Sequence, residues 1–555
     1  MPKTQVRRWW ALTALSLSVL VVALDLFVLS LALPTLSADL HASSSDLQWF
    51  VDAYSLVLAA VLLPAGLLGD RVGRKRILLV ALALFGLASL ACAYSTSAGE
   101  LIAARAVLGL AAAVILPMSL AVLPVLFTAQ ERPRAIAAVG GATFLGYPIG
   151  PILGGWLLDH FWWGSVFLIN VPVVVVAIVA VSTLMPESRG EGEVGVDVAG
   201  IAISSAGLAL LTYGLIKAGN NGWGDGAAVA TMAVGAVALV AFAAWERRIS
   251  DHARGRLLPL VDLKLFSSAG FTWGTALATL VSFALFGLVF AMPQYFLDVR
   301  GLDSLGAGVR MLPMIAGLAV GLLIGQRLQT PRKPKNRPSD AGEVATATAG
   351  SKPPVSPKAL VAAGFTVMAA ALVIGAGTTI ASSTGFAATW FAVTGFGLGL
   401  AMPTALNVAL GALSAARSGA GSALITAMRQ VGGTIGVAVL GTVLASVYQG
   451  RLHPTAGLSA TTTATLRSSV ASGVATARAT GSTALLDAVR AAYVHGLDVM
   501  LWVCAGIAIA SALLALAFLP RWTASPPTSG DPTTDDTAVD TITDTVAGSV
   551  RPRAQ

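Results

Sequence analysis

Long apolar runs alternate with short polar segments along most of the chain, from about residue 11 to residue 519. Each run has about 20 or more residues, the length that an α-helix needs to cross the roughly 30 Å hydrocarbon core of a bilayer. The pattern therefore predicts an all-α polytopic membrane protein. Its fourteen predicted helices span about 11–36, 47–69, 77–98, 101–127, 135–158, 164–185, 198–217, 226–245, 270–296, 304–327, 359–381, 386–413, 418–448 and 494–519.

A weak internal repeat organises these helices. The segment 69–71, Gly-Asp-Arg, ends helix two, and a similar segment, Gly-Gln-Arg at 325–327, ends helix ten. Pro34 of helix one likewise has a counterpart in Pro293 of helix nine. Parallel repeats of this kind place a substrate site at the midplane between them. We expect two six-helix halves, 11–185 and 270–519, with helices seven and eight (198–245) inserted between them.

The segments outside the helices are polar. We expect residues 1–10 to be a cytoplasmic N-terminal segment, 328–358 a cytoplasmic loop, 449–493 an external loop with short helices near 484–492, and 520–555 a disordered cytoplasmic tail. The first apolar run follows basic residues, as in a secretory signal, but it is about twice the usual length of such a run. We therefore interpret it as an uncleaved helix.

Composition excludes a soluble enzyme. The 555 residues are 56% hydrophobic and 11% charged, with a mean hydropathy of +0.79, against about 45–50% and 25% in soluble domains. The two cysteines, Cys92 and Cys504, lie in separate apolar runs. Neither a disulfide framework nor a thiolate metal site is expected, and no cofactor motif is present.

The net charge of +8 does not indicate nucleic-acid binding, because the basic residues lie in short loops between apolar runs. With the amino terminus in the cytoplasm, 26 of the 35 Lys and Arg residues lie on the cytoplasmic side and seven outside. The positive-inside rule therefore predicts a multi-pass protein of the cytoplasmic membrane with both termini inside.

Asp25 is the outstanding charged residue, because it lies about 16 Å along helix one from its outer end. An ionised carboxylate at that depth costs roughly 2.5–3.5 kcal/mol, so a function is expected by default. Arg105 of helix four is long enough to reach it. Rearranging this one contact between two states could load and release a proton, and the alternative is a purely structural ion pair.

Candidate substrate contacts lie on several helices. Asp52, one or two turns into helix two, is either a vestibule carboxylate that recognises cations or a solvated residue at a helix start. Tyr54, Phe27 and Tyr147 could offer aromatic faces to an organic cation, or serve in packing. Arg429 of helix thirteen could bind a polar or anionic group, or be neutralised by Gln430 and backbone carbonyls.

The loop between helices two and three combines a tight glycine turn with charge. Its glycines allow helix ends to approach closely, and its carboxylate can accept from helix amides or an arginine. We interpret it as a latch that breaks and reforms as the halves rock; the alternative is a positive-inside anchor. The latch residues are Gly66, Gly69, Asp70, Arg71, Gly73, Arg74 and Lys75.

Helix five is rich in glycine and proline. Its glycines allow tight contact with a neighbour, and its prolines allow a kink at the interface between halves. These residues are Gly146, Pro148, Gly150, Pro151, Gly154 and Gly155.

Several of these segments together resemble the fourteen-helix drug:proton antiporters of the major facilitator superfamily, in the branch of quaternary-ammonium and multidrug exporters. They are GLLGDRVGRKR at 66–76, LDLFVLSLALP at 24–34, LIAARAVLGL at 101–110, GYPIGPILGG at 146–155, LQWFVDAYSL at 47–56 and FLINVP at 167–172. The resemblance implies the major-facilitator fold and proton-coupled drug export. It covers roughly residues 9 to 520.

Departures from that pattern bear on the substrate. Phe27 and Ser30 stand where related proteins often have Thr and Asn, and Gly164 stands where they have Arg. Some dication exporters that resemble this chain carry acids in helices ten and thirteen. Helix ten has none here, and helix thirteen carries Arg429. We therefore expect selection of monovalent over divalent cations.

The sequence as a whole predicts a transporter, not an enzyme. We expect a monomer in the lipid bilayer that exports small amphipathic, monovalent cationic drugs or antiseptics in exchange for protons, with no cofactor and no nucleic-acid partner. A dedicated exporter of a neutral or anionic metabolite, such as a self-made antibiotic, is the main alternative. A non-transporting sensor or scaffold is the alternative from another class. An ATP-driven pump is disfavoured, because no lysine follows a glycine as a Walker A loop requires.

Overall fold

A computed structural model of the chain describes residues 3–127, 131–188, 197–252, 263–329, 355–413, 418–452 and 459–520. The described residues form helices, turns and connections and contain no β-strand. Most of the predicted loop 328–358 and nearly all of the predicted tail 520–555 lie outside them. The all-α prediction is confirmed.

Fourteen long helices coincide with the fourteen apolar runs. They are α1 Lys3–Asp39, α2 Ser44–Val72, α3 Arg74–Ala93, α4 Ala98–Ala121, α5 Arg132–His160, α6 Asn170–Leu184, α7 Val198–Asn221, α8 Gly226–His252, α9 Ala269–Gln294, α10 Ser304–Gln329, α11 Pro357–Gly375, α12 Thr384–Gly411, α13 Ser418–Arg451 and α14 Thr483–Phe518. Within the described residues, thirteen segments are long and apolar enough to cross a membrane. Helix α5, at 29 residues, is the remaining long helix.

Serine residues mark many helix starts, because their hydroxyls accept from amides that have no partner within the helix. Ser43 forms a capping box with Asp46 before α2. Ser482 caps α14, which therefore begins at Thr483 and not near residue 494. Residues 484–492, where the sequence predicts short helices, are helical but belong to α14, because Leu485, Val489 and Ala492 are buried along one face of that helix.

The predicted external loop nevertheless contains two short helices, Ala460–Ser468 and Val470–Ala479. They lie where α1 ends and α2 begins. The hydroxyl oxygens of Ser37 and Ser469 are 2.6 Å apart, and the Ser44 hydroxyl donates to the Ser468 carbonyl at 2.6 Å. We call this side of the bundle the far end, and the side where α1 begins and α14 ends the terminal end.

Two large clusters of buried apolar side chains form the core. One is built almost entirely from α1 to α6 and includes Phe50, Phe85 and Phe167. The other is built mainly from α9 to α14 and includes Phe365 and Trp390. This separation supports the prediction of two six-helix halves.

Helices α7 and α8 pack on each other and on the outside of this arrangement. The ring centroids of Tyr213 on α7 and Trp49 on α2 are 6.4 Å apart, and the Thr442 hydroxyl on α13 donates to the Leu215 carbonyl at 3.3 Å. Helix α7 therefore contacts a helix of each half, as expected for an inserted pair.

Candidate functional site

Asp25 and Arg105 form an ion pair in the centre of the first half. Both residues are buried, with exposed fractions of 2% for Asp25 and 0% for Arg105. Arg105 Nη1 donates a hydrogen bond directly to Asp25 Oδ2. The Arg105 Nε donates to the Phe50 carbonyl at 2.9 Å. The contact expected from the depth of Asp25 and the length of Arg105 is therefore present.

A second donor reaches the same carboxylate. Asn170, the first residue of α6, is 2% exposed, and its side-chain amide donates to Asp25 Oδ1 at 3.4 Å and to the Ser89 hydroxyl at 3.2 Å. Asn170 and Ser89 were not assigned a role from sequence, although Asn170 lies in one of the segments of family resemblance. Apart from that resemblance, the available signal is an amide or a hydroxyl in an apolar run. Helices α1, α4 and α6 thus meet at the Asp25 carboxylate, and α3 joins them through the contact between Ser89 and Asn170.

Tyr54 completes this polar group from α2. Its ring lies 4.5 Å from the Arg105 guanidinium carbon, a cation–π distance, and the whole residue is buried. Within the described residues, neither the Tyr54 hydroxyl nor Arg105 Nη2 has a hydrogen-bond partner. Both are potential hydrogen-bond donors within this buried group.

Asp52 lies two residues from Tyr54 and thus points to a different face of α2. It is fully buried, and among the described residues neither carboxylate oxygen has a hydrogen-bond partner. The alternative of a solvated residue at a helix start is therefore wrong. A buried carboxylate without a partner is costly unless it takes up a proton or a cation, so Asp52 is a second candidate for either.

Arg429 lies on α13, in the second half. Its Nε donates to the Ser282 hydroxyl on α9 at 3.3 Å, and its Nη2 lies 3.7 Å from the Met402 sulfur on α12. Arg429 is half-buried, as is its neighbour Gln430. The Ser282 and Met402 contacts of Arg429 therefore both lie within the second half.

The glycines of α5 allow close approach of two neighbouring helices. A Cβ on Gly146 would lie 2.7 Å from the Ala23 Cβ on α1, and one on Gly154 would lie 3.0 Å from a Val28 methyl. Gly155 faces α10, where a Cβ would lie 2.6 Å from the Ser304 carbonyl. The remaining helix-five residues are Gly150 and Pro151, which are buried, and Tyr147 and Pro148, whose side chains, like that of Phe27, lie outside the described residues.

The glycine loop holds several polar contacts at the terminal end. Gly73 joins α2 to α3 with a φ of 121°, which an L side chain rarely adopts. Arg74 Nη1 donates to the Ala121 carbonyl at 3.0 Å, and Lys75 Nζ donates to the Ser182 carbonyl at 2.7 Å.

Glu187, which the sequence analysis did not assign, also belongs to this loop region. Its Oε1 accepts from the Lys75 amide at 3.1 Å, and its Oε2 lies 3.6 Å from Arg76 Nε. Gly69 is buried. The burial of Gly66 and the side chains of Asp70 and Arg71 are outside what the structure describes.

A narrow cavity lies between the halves near the far end. Gln48 of the first half and Gln294, Tyr448 and Tyr493 of the second line it, together with apolar residues. Its free space of about 20 Å³ accommodates about one water molecule. The cavity is too small for an organic substrate, so the two halves are in contact around it.

Comparison with known proteins gives the family. Residues 15–437 match the Major Facilitator Superfamily. The multidrug efflux pump LfrA of Mycolicibacterium smegmatis is 33% identical over 93% of this chain and 95% of its own length. The tetracenomycin C resistance and export protein of Streptomyces glaucescens is 33% identical over 79% of this chain and 76% of its own length. The methyl viologen resistance protein SmvA of Salmonella typhimurium is 32% identical over 89% and 95%.

The solved structures agree on the fold. A bacterial homologue of the lysosomal transporter Spinster, in an inward-facing and occupied conformation, aligns with a TM-score of 0.64 at 17% identity, covering 94% of this chain and 99% of that one. The family and fold indicate a multi-span membrane transporter and not an enzyme, and bacterial efflux relatives imply the cytoplasmic membrane. On the family match and the extent of these relatives, the chain belongs to the major facilitator superfamily.

Proposed function

We propose that the protein is a proton-coupled antiporter that exports amphipathic, monovalent cationic drugs or antiseptics across the cytoplasmic membrane. The observation that carries the proposal is the fully buried Asp25–Arg105 pair, which Asn170 and Tyr54 surround. The efflux relatives support export as the direction.

The orientation follows from charge. Among the described residues, the terminal end carries more Lys and Arg residues than the far end, so by the positive-inside rule the terminal end would face the cytoplasm and the far end would face outward. Asp25 then lies between the two sides, inside the first half. One charge moving through 100 mV releases about 2.3 kcal/mol, which is available to drive export.

Coupling would work through exchange of partners at Asp25. When the carboxylate is ionised, Arg105 neutralises it and the pair carries no net charge. When Asp25 takes a proton, the ion pair is lost, and Arg105 keeps the Phe50 carbonyl and the Tyr54 ring as partners. A rearrangement of the halves that brings Asp25 to one side and then the other would carry the proton across.

We assign substrate recognition to residues of α1, α2, α5 and α13. Asp52 would pair with the positive centre of the substrate, while Tyr54, Phe27 and Tyr147 would contact its apolar body. Arg429 and Gln430 would contribute from the second half. Because Arg429 is positive, a second cationic centre on the substrate would lie near a like charge.

The glycine loop and α5 would act in the movement of the halves. The loop would serve as a latch at the cytoplasmic side, as predicted from its charges and glycines. The close packing of α5 on α1 and α10 would let α5 bend at the interface between halves. We propose that a monomer carries out the whole cycle.

Everted membrane vesicles test the proposal directly. Vesicles with the protein should accumulate a monovalent quaternary ammonium dye when a pH gradient is imposed, and a protonophore should abolish the accumulation. Methyl viologen, a dication, is the informative second substrate, because a relative is named for resistance to it. Equal proton-driven transport of both compounds would remove the monovalent assignment, and no proton-driven transport of either would remove the antiport of cationic drugs.

A second function, export of a neutral or anionic metabolite such as an antibiotic, is favoured by Arg429. Its guanidinium could pair with a polar or anionic group of such a substrate. The relative named for tetracenomycin C export is consistent with this function. In the same vesicles, proton-driven accumulation of an anionic aromatic antibiotic, with none of the quaternary ammonium dye, would favour it.

A further inference from the structure

Helices α5 and α10, one from each half, touch at the far end. Gly155 lies so close to α10 that a Cβ there would be 2.6 Å from the Ser304 carbonyl and 2.7 Å from the Leu305 Cα. Gly308, one turn further into α10, faces the Pro151 carbonyl in the same way. The two backbones are therefore in direct contact over the first turns of α10.

A carboxylate lies at the end of this contact. Asp159, near the end of α5, accepts from the Ser304 amide through Oδ1 and from the Leu305 amide through Oδ2, each at 2.9 Å. The next amide of α10, that of Gly306, donates to Asp303 Oδ1 at 3.1 Å. One acid of the first half and one of the second thus share the amides that begin α10.

Asp159 and Asp303 both accept hydrogen bonds from amides at the start of α10, but only Asp159 belongs to the other half. Each places a negative charge at a helix amino terminus, where free amides and the helix dipole favour it. The Asp303 contact stays within one half however the halves move. The Asp159 contact joins the halves, so it must break if α10 moves away from α5.

The exposure of Asp159 makes such a break reversible. The residue is exposed to solvent, so water can solvate the carboxylate and the two amides once they separate. A buried pair would be much costlier to open. The contact therefore joins a carboxylate of one half to two amides of the other, and it can open at low cost.

We propose that Asp159 is a far-end latch, which holds the far end closed by capping α10 and releases α10 when the far end opens. The proposal rests on the alternation of two states in the proposed function, and not on the substrate or on the proton.

Distances between spin labels measure the latch without substrate. Gly99, at the start of α4, and Ala381, between α11 and α12, are exposed far-end positions in the two halves, and both can be changed to cysteine. The buried Cys92 and Cys504 are replaced by alanine in this background. Pulsed electron resonance on the full-length protein in nanodiscs then gives the populations of short and long separations.

Asp159→Ala should raise the ratio of long to short separations by about tenfold, equivalent to about 1.4 kcal/mol. Asp159→Asn keeps one acceptor oxygen and should produce a smaller rise. The matched control is Asp303→Ala, which removes an acid from the same helix terminus and should leave the ratio within about twofold, a change of about 0.4 kcal/mol.

Two outcomes would overturn the latch. One is an unchanged distance distribution in Asp159→Ala; the other is an equal shift in Asp159→Ala and Asp303→Ala, which would indicate general loosening of α10. Thermal unfolding of each variant identifies a folding defect, and Asp159→Asn provides the comparison if the alanine variant fails to fold. Failure of proton-driven transport in the unmodified protein would not alter these distances, so the two proposals fail separately.

Discussion

The two halves of the bundle hold their inward-facing arginines in different surroundings. Arg105 in the first half is fully buried and pairs with a carboxylate that Asn170 also contacts. Arg429 in the second half is half-buried, and its hydrogen-bond partners include the Ser282 hydroxyl and the Met402 sulfur.

The difference suggests a division of labour. A buried ion pair is electrically balanced, and a single proton on Asp25 changes that balance. The half-buried Arg429 guanidinium carries a positive charge, which disfavours a second cationic centre nearby. In our account the first half couples transport to protons, and the second half contributes to the choice of substrate.

Replacement of the two arginines should have the largest effects on the free energy of unfolding, and the two effects should differ. Arg105→Ala leaves Asp25 as an uncompensated buried charge, a change that costs about 3–5 kcal/mol. Arg429→Ala should cost much less, because a half-buried side chain retains access to solvent. Thermal unfolding of the purified variants measures both, and equal losses would contradict the division.

A control separates charge balance from packing. Replacing both Asp25 and Arg105 by leucine removes the pair without leaving a charge, so the double variant should unfold at a higher temperature than Arg105→Ala. A double variant that is as unstable as Arg105→Ala would assign the loss to packing around the guanidinium.

The hydrogen-bond partners provide the next comparison. Asn170→Ala removes a donor to the Asp25 carboxyl group, and a typical hydrogen bond contributes about 0.5–1.5 kcal/mol. We expect pH-driven exchange to slow by about tenfold. Ser282→Ala, which removes one hydrogen-bond acceptor of Arg429, should leave pH-driven exchange intact. Transport assays in proteoliposomes at matched protein levels measure both rates. Similar slowing in Asn170→Ala and Ser282→Ala would contradict the account.

How far the sequence predicts these features depends on the physical signal. The fourteen helices follow from the length of the apolar runs, because a single segment in lipid can satisfy its own backbone hydrogen bonds only as a helix. Asp25 and Arg105 are conspicuous for the same reason: a charge in such a run is costly. Asn170 and Ser89 are not, because a small polar side chain costs little until the fold shows what it contacts.

Other features depend on packing that a single sequence does not show. The first turns of α14 look polar, and only the burial of one face makes them part of the helix. Asp159 resembles any acid near a helix end, and only the position of α10 gives it two amide donors. Asp52 looks solvated by its place near a helix start but is fully buried.

The smallest expected effect concerns selectivity. Gln430→Glu adds a negative charge next to Arg429 and should raise transport of methyl viologen relative to a monovalent quaternary ammonium compound by about threefold, equivalent to roughly 0.6 kcal/mol. Gln430→Met, of similar size and without charge, is the control. A ratio that changes equally in both variants would attribute selectivity to shape and not to charge.

The central claim is that Asp25 carries the coupling proton. Two assays on one variant test it: accumulation driven by a pH gradient, and exchange of labelled for unlabelled substrate at equal pH. Asp25→Asn should lose pH-driven accumulation by at least about tenfold and keep substrate exchange within about twofold. Asp39→Asn, at the exposed end of the same helix, should retain both activities. Full pH-driven accumulation by Asp25→Asn would contradict the account.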